Sequence, residues 1–386
     1  MKQATKALLA ALLAVFVGFL LQISTRRSSP MSFVPNYPAT GVALQITEPK
    51  QKTALTLARV DIPQVLDGQE VLIKNGAAAQ NPVDAKQVDG GSITTFPWTN
   101  GGDVAGEVIA IGKDVQNIKV GDRVASFLSR KTARHSGYQE FSIGNAPQTF
   151  KIPKYLGYEE ASSIPLAFST AVGAVFSDLK VPIPPAGSAL PLPPNHEVPV
   201  LVWGGSSSVG AYAIQVLHLS GYKVVTTVSP SNNEYVKSLG ADIVVDYHDE
   251  EKAVEEIKKA TDGKLSLVVD AISENHSTEL AVKAFGPDGG IITTVLSVDD
   301  SVKQGRTDIS IVSSGARIVF QNPKYLDAFR FLEETLEAKL FKPNKIEVLP
   351  KGLLSVDDGW NRQRAHKISG VKLVYRIADT PGLVDV

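Results

Sequence analysis

Leu201-Val202-Trp203-Gly204-Gly205-Ser206-Ser207-Ser208-Val209-Gly210 runs without a break into the amphipathic segment Ala211–Gly221. An apolar strand, a turn of glycine and serine, and a helix follow one another in that order. This is the arrangement that brings backbone N–H groups and the positive end of a helix dipole to a pyrophosphate. The spacing departs from a regular GxGxxG, so the segment has to be weighed with its surroundings. Gly204, Gly205, Ser206, Ser207, Ser208 and Val209 are expected to cradle the phosphates; the alternative is a tight strand-to-helix turn that binds nothing.

Downstream the same grammar repeats. KVVTTV (223–228) precedes NEYVKSLG, IVVDY (243–247) precedes EEKAVEEIKKAT, LSLVVDA (265–271) precedes ELAVKAFG, and GGIITTVL (289–296) follows. Strands alternating with helices make a parallel α/β sheet. Upstream, from Gly41 to about Ile143, short β-rich runs broken by Gly, Pro and Asp (VALQI, LTLARV, EVLIKNGAAA, DVAGEVIAIG, DRVASF, YQEFSI) indicate a β-barrel-like domain. Val181–Pro199 is too rich in proline for a central strand and is expected to be an exposed loop entering the first strand. After a helical stretch, YLDAFRFLEETLEAKL, the short strands KIEVLP and VKLVYRI can return to the first domain.

The second strand of the α/β unit ends on Ser229, where an NAD enzyme would carry an acidic residue for the ribose hydroxyls. Ser-Pro-Ser-Asn-Asn at 229–233 carries no such charge, and its hydroxyls and amides can donate to a 2′-phosphate. NADPH is therefore expected, with Ser229 and Asn232 as contacts. No Arg or Lys lies within 229–233, so no clamp on the phosphate is foreseen.

The chain of 386 residues has room for two domains, and its net charge of −1 gives no support to a nucleic-acid partner. With no cysteine at all, disulfides, thiolate nucleophiles and Cys-containing zinc sites are excluded. Lys2 and Lys6 precede an apolar run, Ala7–Ile23, followed by Arg26 and Arg27. Residues 1–30 are expected to act as a membrane anchor with the enzyme facing the cytosol. The alternatives are a cleaved signal, or translation from Met31 and a cytoplasmic protein.

Several motifs together resemble the medium-chain dehydrogenase/reductases. Asn81-Pro82-Val83-Asp84 is similar to the NPxD turn of the zinc-free quinone and enoyl reductases. Gly102–Val108, Gly112, Val120–Val124 and Ser136–Phe141 resemble the barrel signatures of that family, Pro165–Ala171 its nicotinamide-facing helix, and Val236–Asp242 the segment beyond the ribose-reading turn. The nearest resemblance is to the fungal branch that includes enoyl reductases working in trans with polyketide synthases.

This resemblance implies a GroES-like catalytic domain, 31–165 completed by 342–386, and a Rossmann domain, 166–341. It places Asn81, Asp84, Thr170, Tyr247 and Leu296 at the cofactor beside the cradle residues. Where zinc-using members carry a catalytic Cys and a Gly-His-Glu, this chain has Asn81-Pro82 and Gly101-Gly102-Asp103, so no catalytic metal is expected.

Hydride transfer to an activated C=C bond or a quinone needs positioning and charge stabilisation but no metal, and that is the expected chemistry. The substrate is a small enone or quinone, and the protein a monomer or homodimer. Two alternatives stand beside it: a trans-acting enoyl reductase, and an NADPH-binding membrane or structural protein without catalysis. No Tyr follows the NPxD turn in AKQVDGGSITTFPW, so no proton donor is assigned. His135 is read as a solvated loop residue, Tyr138 as barrel core and Lys86 as a turn-solvating lysine.

Overall fold

The computed structural model describes residues 37–50 and 54–383, leaving out the side chains of 195–197. The anchor expected over Ala7–Ile23 lies outside the described residues. Among those residues no helix is long and apolar enough to cross a membrane. The expectation of a membrane-anchored protein is corrected accordingly.

β1 (Thr40–Gln45) and β2 (Thr56–Asp61) form an antiparallel pair. β3 (Glu70–Ala79), β4 (Asp103–Ile111), β5 (Arg123–Phe127), β6 (Phe141–Asn145) and β7 (Thr149–Lys151) build an antiparallel sheet. The helix Pro82–Asp89 follows β3 directly. The Asn81 N–H donates to the Asp84 carboxylate and the Asp84 N–H to the Asn81 backbone carbonyl, with Pro82 at the first turn where a missing N–H costs nothing.

The second sheet is parallel throughout: β8 (Asn195–Trp203), β9 (Tyr222–Thr227), β10 (Ile243–Val245), β11 (Leu267–Asp270), β12 (Gly290–Thr294) and β13 (Ile309–Ser313), in the order β10-β9-β8-β11-β12-β13. This is the doubly wound order with β8, the strand before the glycine turn, in the middle. Val200, Leu201 and Val202 are fully buried because helices cover both faces.

Two departures from expectation appear here. β8 reaches back into the proline-rich stretch as far as Asn195. A register break between Asn195 and Pro199 accommodates the prolines, and pairing with β11 begins only at Val200, so Pro199 is paired on one side. β13 was not foreseen; it is a five-residue edge strand, ISIVS, with only Ile309 buried.

β14 (Ile346–Leu349) and β15 (Lys372–Arg376) rejoin the first sheet, giving the order β14-β15-β3-β4-β5-β7 with β6 also on β3. The expected return of the chain end to the first domain is observed. One aromatic column packs the helices beside the second sheet against one another. Phe168, on the helix Pro165–Val172, meets Phe329 and Phe341 with ring centroids 6.0 and 5.7 Å away, and Phe341 stacks on Tyr212 at 5.3 Å. Each such buried ring contributes roughly 1.5–3 kcal/mol by transfer from water, and the column sets where that helix lies against Ser208–Leu219.

Candidate active site

The glycine turn leaves specific donors open. Gly204 adopts a left-handed φ of +78°, and a Cβ there would sit 2.4 Å from Ile272, so both conformation and space require glycine. The N–H of Gly205 goes to Thr227 O, that of Ser207 to Gly204 O, and that of Gly210 to the Ser207 hydroxyl, which caps the helix Ser208–Leu219. The N–H groups of Ser206, Ser208 and Val209 have no acceptor among the described residues. Three unpaired donors at the positive end of a twelve-residue helix fit an anionic diphosphate.

Gly205 also has a packing role. A Cβ at this position would lie 2.1 Å from Thr226 Oγ1 and 2.7 Å from Ile214 Cδ1. The glycine lets the helix approach the sheet, and a side chain there would strike Thr226 and Ile214.

At the end of β9, Ser229 Oγ lies 3.1 Å from the hydroxyl of Tyr247, which stacks on His248 and is 38% exposed. Asn232 Nδ2 points to Ser206 Oγ and to Ser369 Oγ, each at 3.4 Å. Cradle, post-strand turn and the segment before β15 thus meet in one uncharged polar cluster. Ser369 was not foreseen, since nothing in SerGly before a strand marks it. Leu296 lies two residues past β12, where the neighbouring Val295 N–H donates to Ser273 Oγ.

A buried polar hub ties the first sheet to the helix Pro165–Val172. Asn81 Nδ2 donates to Asp103 Oδ2 at 2.8 Å, and Lys372 Nζ donates to Asn81 Oδ1 at 2.6 Å while standing 3.4 Å from Asp103. Asp103 Oδ1 accepts from the N–H of Leu166 at 2.6 Å, at the start of the helix that carries Thr170. Asp84 accepts from the Asn81 N–H at 2.9 Å and from the Tyr138 hydroxyl at 2.7 Å, with Arg130 Nη1 3.4 Å away.

Burial pushes both carboxyls above their usual range. Lys372 and the donors on Asp103, and Arg130 with the donors on Asp84, pull the other way. Burial also raises Tyr138 well above the ordinary phenol value, keeping it a neutral donor. Tyr138 is core, as expected, and also holds Asp84. Thr170 is buried and its hydroxyl donates to Leu166 O at 2.9 Å, leaving it free only to accept.

His135 differs from the solvated loop residue expected. Its ring is held between Thr132 Oγ1 at 2.8 Å and Glu70 Oε1 at 3.0 Å, on the first sheet. Lys86 forms an ion pair at 3.1 Å with Glu274, in the loop after β11, so it spans from the first sheet's helix to the second sheet. That loop is fixed by Asp270, whose carboxylate accepts from the N–H groups of Ile272 and Ser273 and the hydroxyls of Ser277 and Thr278. Asp103, Lys372, Arg130 and Glu274 went unassigned from sequence, although a lysine within the apolar run VKLVYRI is a visible anomaly, because a fully buried lysine needs a partner.

The residues do not suit zinc. Both ends of the Asn81 side chain are engaged, Gly102 offers no ligand, and a divalent cation would face the cationic ends of Lys372 and Arg130. No three His, Cys, Asp or Glu side chains converge among the described residues.

Residues 67–162 match the family of alcohol dehydrogenase GroES-like domains, and residues 208–334 the zinc-binding dehydrogenase family. The trans-enoyl reductase fsa3 of Fusarium sp. is 33% identical over 82% of this chain and 93% of its own length. A zinc-type alcohol dehydrogenase-like protein of Schizosaccharomyces pombe is 32% identical over 78% of this chain and 90% of its own. The fold is shared with the CurK enoyl reductase (TM-score 0.70, 22% identity, 87% of this chain and 99% of that one). It is shared too with the quinone oxidoreductase of Coxiella burnetii (TM-score 0.67, 22% identity, 87% and 99%). A GroES-like domain completed by the chain's end, clasping a doubly wound nucleotide-binding sheet, makes this chain a medium-chain dehydrogenase/reductase, an oxidoreductase grouped with the fungal trans-enoyl reductases.

Proposed function

We propose that the protein is an NADPH-dependent reductase of activated C=C bonds, acting on an enone, enoyl thioester or quinone without a metal. The observation that carries it is the saturated Asn81–Asp103–Lys372 hub standing where an alcohol dehydrogenase of this fold would need an open, ligating side chain. When bound, the nicotinamide supplies a hydride. The open N–H groups of Ser206, Ser208 and Val209 hold the diphosphate, and Ser229, Asn232 and Tyr247 surround the adenosine ribose. The absence of a carboxylate there favours NADPH over NADH.

Asn81 and Asp84 hold the turn at the cleft, Thr170 accepts a hydrogen bond beside the nicotinamide, and Leu296 packs against it. The catalytic part is taken to be 31–165 with 342–386, and the cofactor part 166–341. Addition to a polarised alkene demands less electrophilic help than reduction of a simple ketone, which suits a site built from amide, ammonium and guanidinium groups.

A trans-acting partner of a polyketide synthase is the second reading, favoured by relatives that bear that name. NADPH oxidation by the full chain against a free enone, a quinone and the same enoyl group on a carrier protein tests both. Turnover confined to the carrier-bound thioester selects the second reading. Tight NADPH binding with no turnover anywhere defeats both in favour of a non-catalytic protein.

A further inference from the structure

Arg130 is a guanidinium with most of its hydrogen-bonding capacity unspent. Its side chain is only 12% exposed, yet its partners are two oxygens, Asp84 Oδ1 and Gln87 Oε1, both at 3.4 Å and both on Nη1. Nε and Nη2 have no acceptor among the described residues. Arginine normally binds oxygen through its planar fork, so a nearly enclosed guanidinium with an idle edge is poised for an acceptor from outside the chain.

The backbone holds this edge in place. Arg130 has a left-handed φ of +53°, unusual for a residue with a Cβ, and its N–H closes the loop on His135 O at 2.9 Å. The loop is further fastened by His135 to Glu70 and by the Leu128 N–H to Gly102 O. The guanidinium stands over Gly102: a Cβ at that position would be 3.8 Å from its central carbon and Nη1, and 2.8 Å from Leu166 Cδ1. Leu166 opens the helix whose next turn carries Thr170. The space left by the missing side chain at 102 therefore lies between the Cζ–Nη1 side of the guanidinium and the helix taken to face the nicotinamide, with Nε and Nη2 as the donors still open.

We propose that Arg130 binds the carbonyl oxygen of the substrate and stabilises the charge that gathers there during reduction. This rests on the C=C reductase reading above. As hydride forms the new C–H bond at the β-carbon, the alkene π pair shifts to join the α-carbon to the carbonyl carbon, and the carbonyl π pair moves onto oxygen. The resulting enolate oxygen accepts from the idle guanidinium edge. Collapse of the enolate restores C=O as the α-carbon takes a proton from water. Arg130 acts as a hydrogen-bond donor to that oxygen and transfers no proton.

The test compares Arg130→Gln, Arg130→Lys and Arg130→Ala in the full chain. For Arg130→Gln, kcat/KM for an enone should fall roughly 10²–10³-fold, the scale of losing one preorganised oxyanion donor. NADPH affinity should stay near wild type, and the melting temperature, lowered by loss of the Asp84 counter-charge, should still lie above the assay temperature. Arg130→Lys should fold and remain impaired, because an ammonium offers no fork, and added guanidinium salts should partly restore Arg130→Ala. A kcat/KM within about threefold of wild type in Arg130→Gln, under 1 kcal/mol, overturns the assignment. So does a loss matched by the same loss in NADPH binding, or an Arg130→Ala enzyme that guanidinium does not revive. A wild type inactive on every enone overturns this assignment together with the reductase reading.

Discussion

Replacing Lys372 by Met isolates what the buried hub contributes. Lys372 is 4% exposed and Asp103 is fully buried, and the ammonium is both the counter-charge of that carboxylate and the donor to Asn81 Oδ1. Methionine has nearly the right shape, so little of the loss comes from a cavity. What remains is a buried carboxylate without its cation and an amide oxygen without its donor, for which about 3–5 kcal/mol is the expected cost at neutral pH.

The deficit should depend on pH in a definite sense. Asp103 already sits above its ordinary value through burial, and loss of Lys372, which lowers it, raises it further. An acid whose folded pKa exceeds its unfolded value of 3.8 destabilises the fold as pH rises from that value through the folded one, and contributes no penalty below it. The difference in urea unfolding free energy between wild type and Lys372→Met should therefore be larger at pH 8 than at pH 5. A deficit below about 1 kcal/mol, the scale of an exposed pair, or one that grows on acidification, would refute the reasoning.

Ser229→Asp places a carboxylate beside the Tyr247 hydroxyl at the ribose end of the cleft; roughly 1–3 kcal/mol, or 5- to 150-fold, should move the kcat/KM ratio toward NADH, and an unaltered ratio would remove Ser229 from cofactor choice. Gly205→Val should destabilise the fold itself by about 3 kcal/mol or more, because the clash is with Thr226 and Ile214; a fully stable variant that only binds NADPH weakly would restore the cradle explanation. Glu274→Gln breaks a half-exposed ion pair with Lys86 and should change unfolding free energy by less than about 1 kcal/mol, read by the same urea titration.

The architecture was legible because its signals are local and repeated. Alternation in the barrel runs and the strand-turn-helix succession around Gly204 each report their own element, and β1 to β6 and β8 to β12 fall where those patterns stand. β13 escaped because it is a five-residue edge strand with a single buried position, and the helix Val356–Arg364 because its inward face is little more than Val356, Gly359 and Trp360.

At the site, the turn residues could be named but not their division of labour. That Ser207 spends its hydroxyl on a cap while Ser206, Ser208 and Val209 keep open N–H groups depends on backbone directions that residue types do not encode. Lys372, Arg130 and Ser369 depend on contacts made across the chain, 291 residues apart for Lys372 and Asn81, and no local pattern carries that information.

The most direct test of the central claim follows the hydrogen. With NADPH deuterated at the transferable position, a conjugated enone as substrate and a metal chelator present, the account predicts a saturated ketone carrying one deuterium at the β-carbon, formed at the same rate as without chelator. An allylic alcohol labelled at the carbonyl carbon, or turnover abolished by the chelator and restored by zinc, would contradict it.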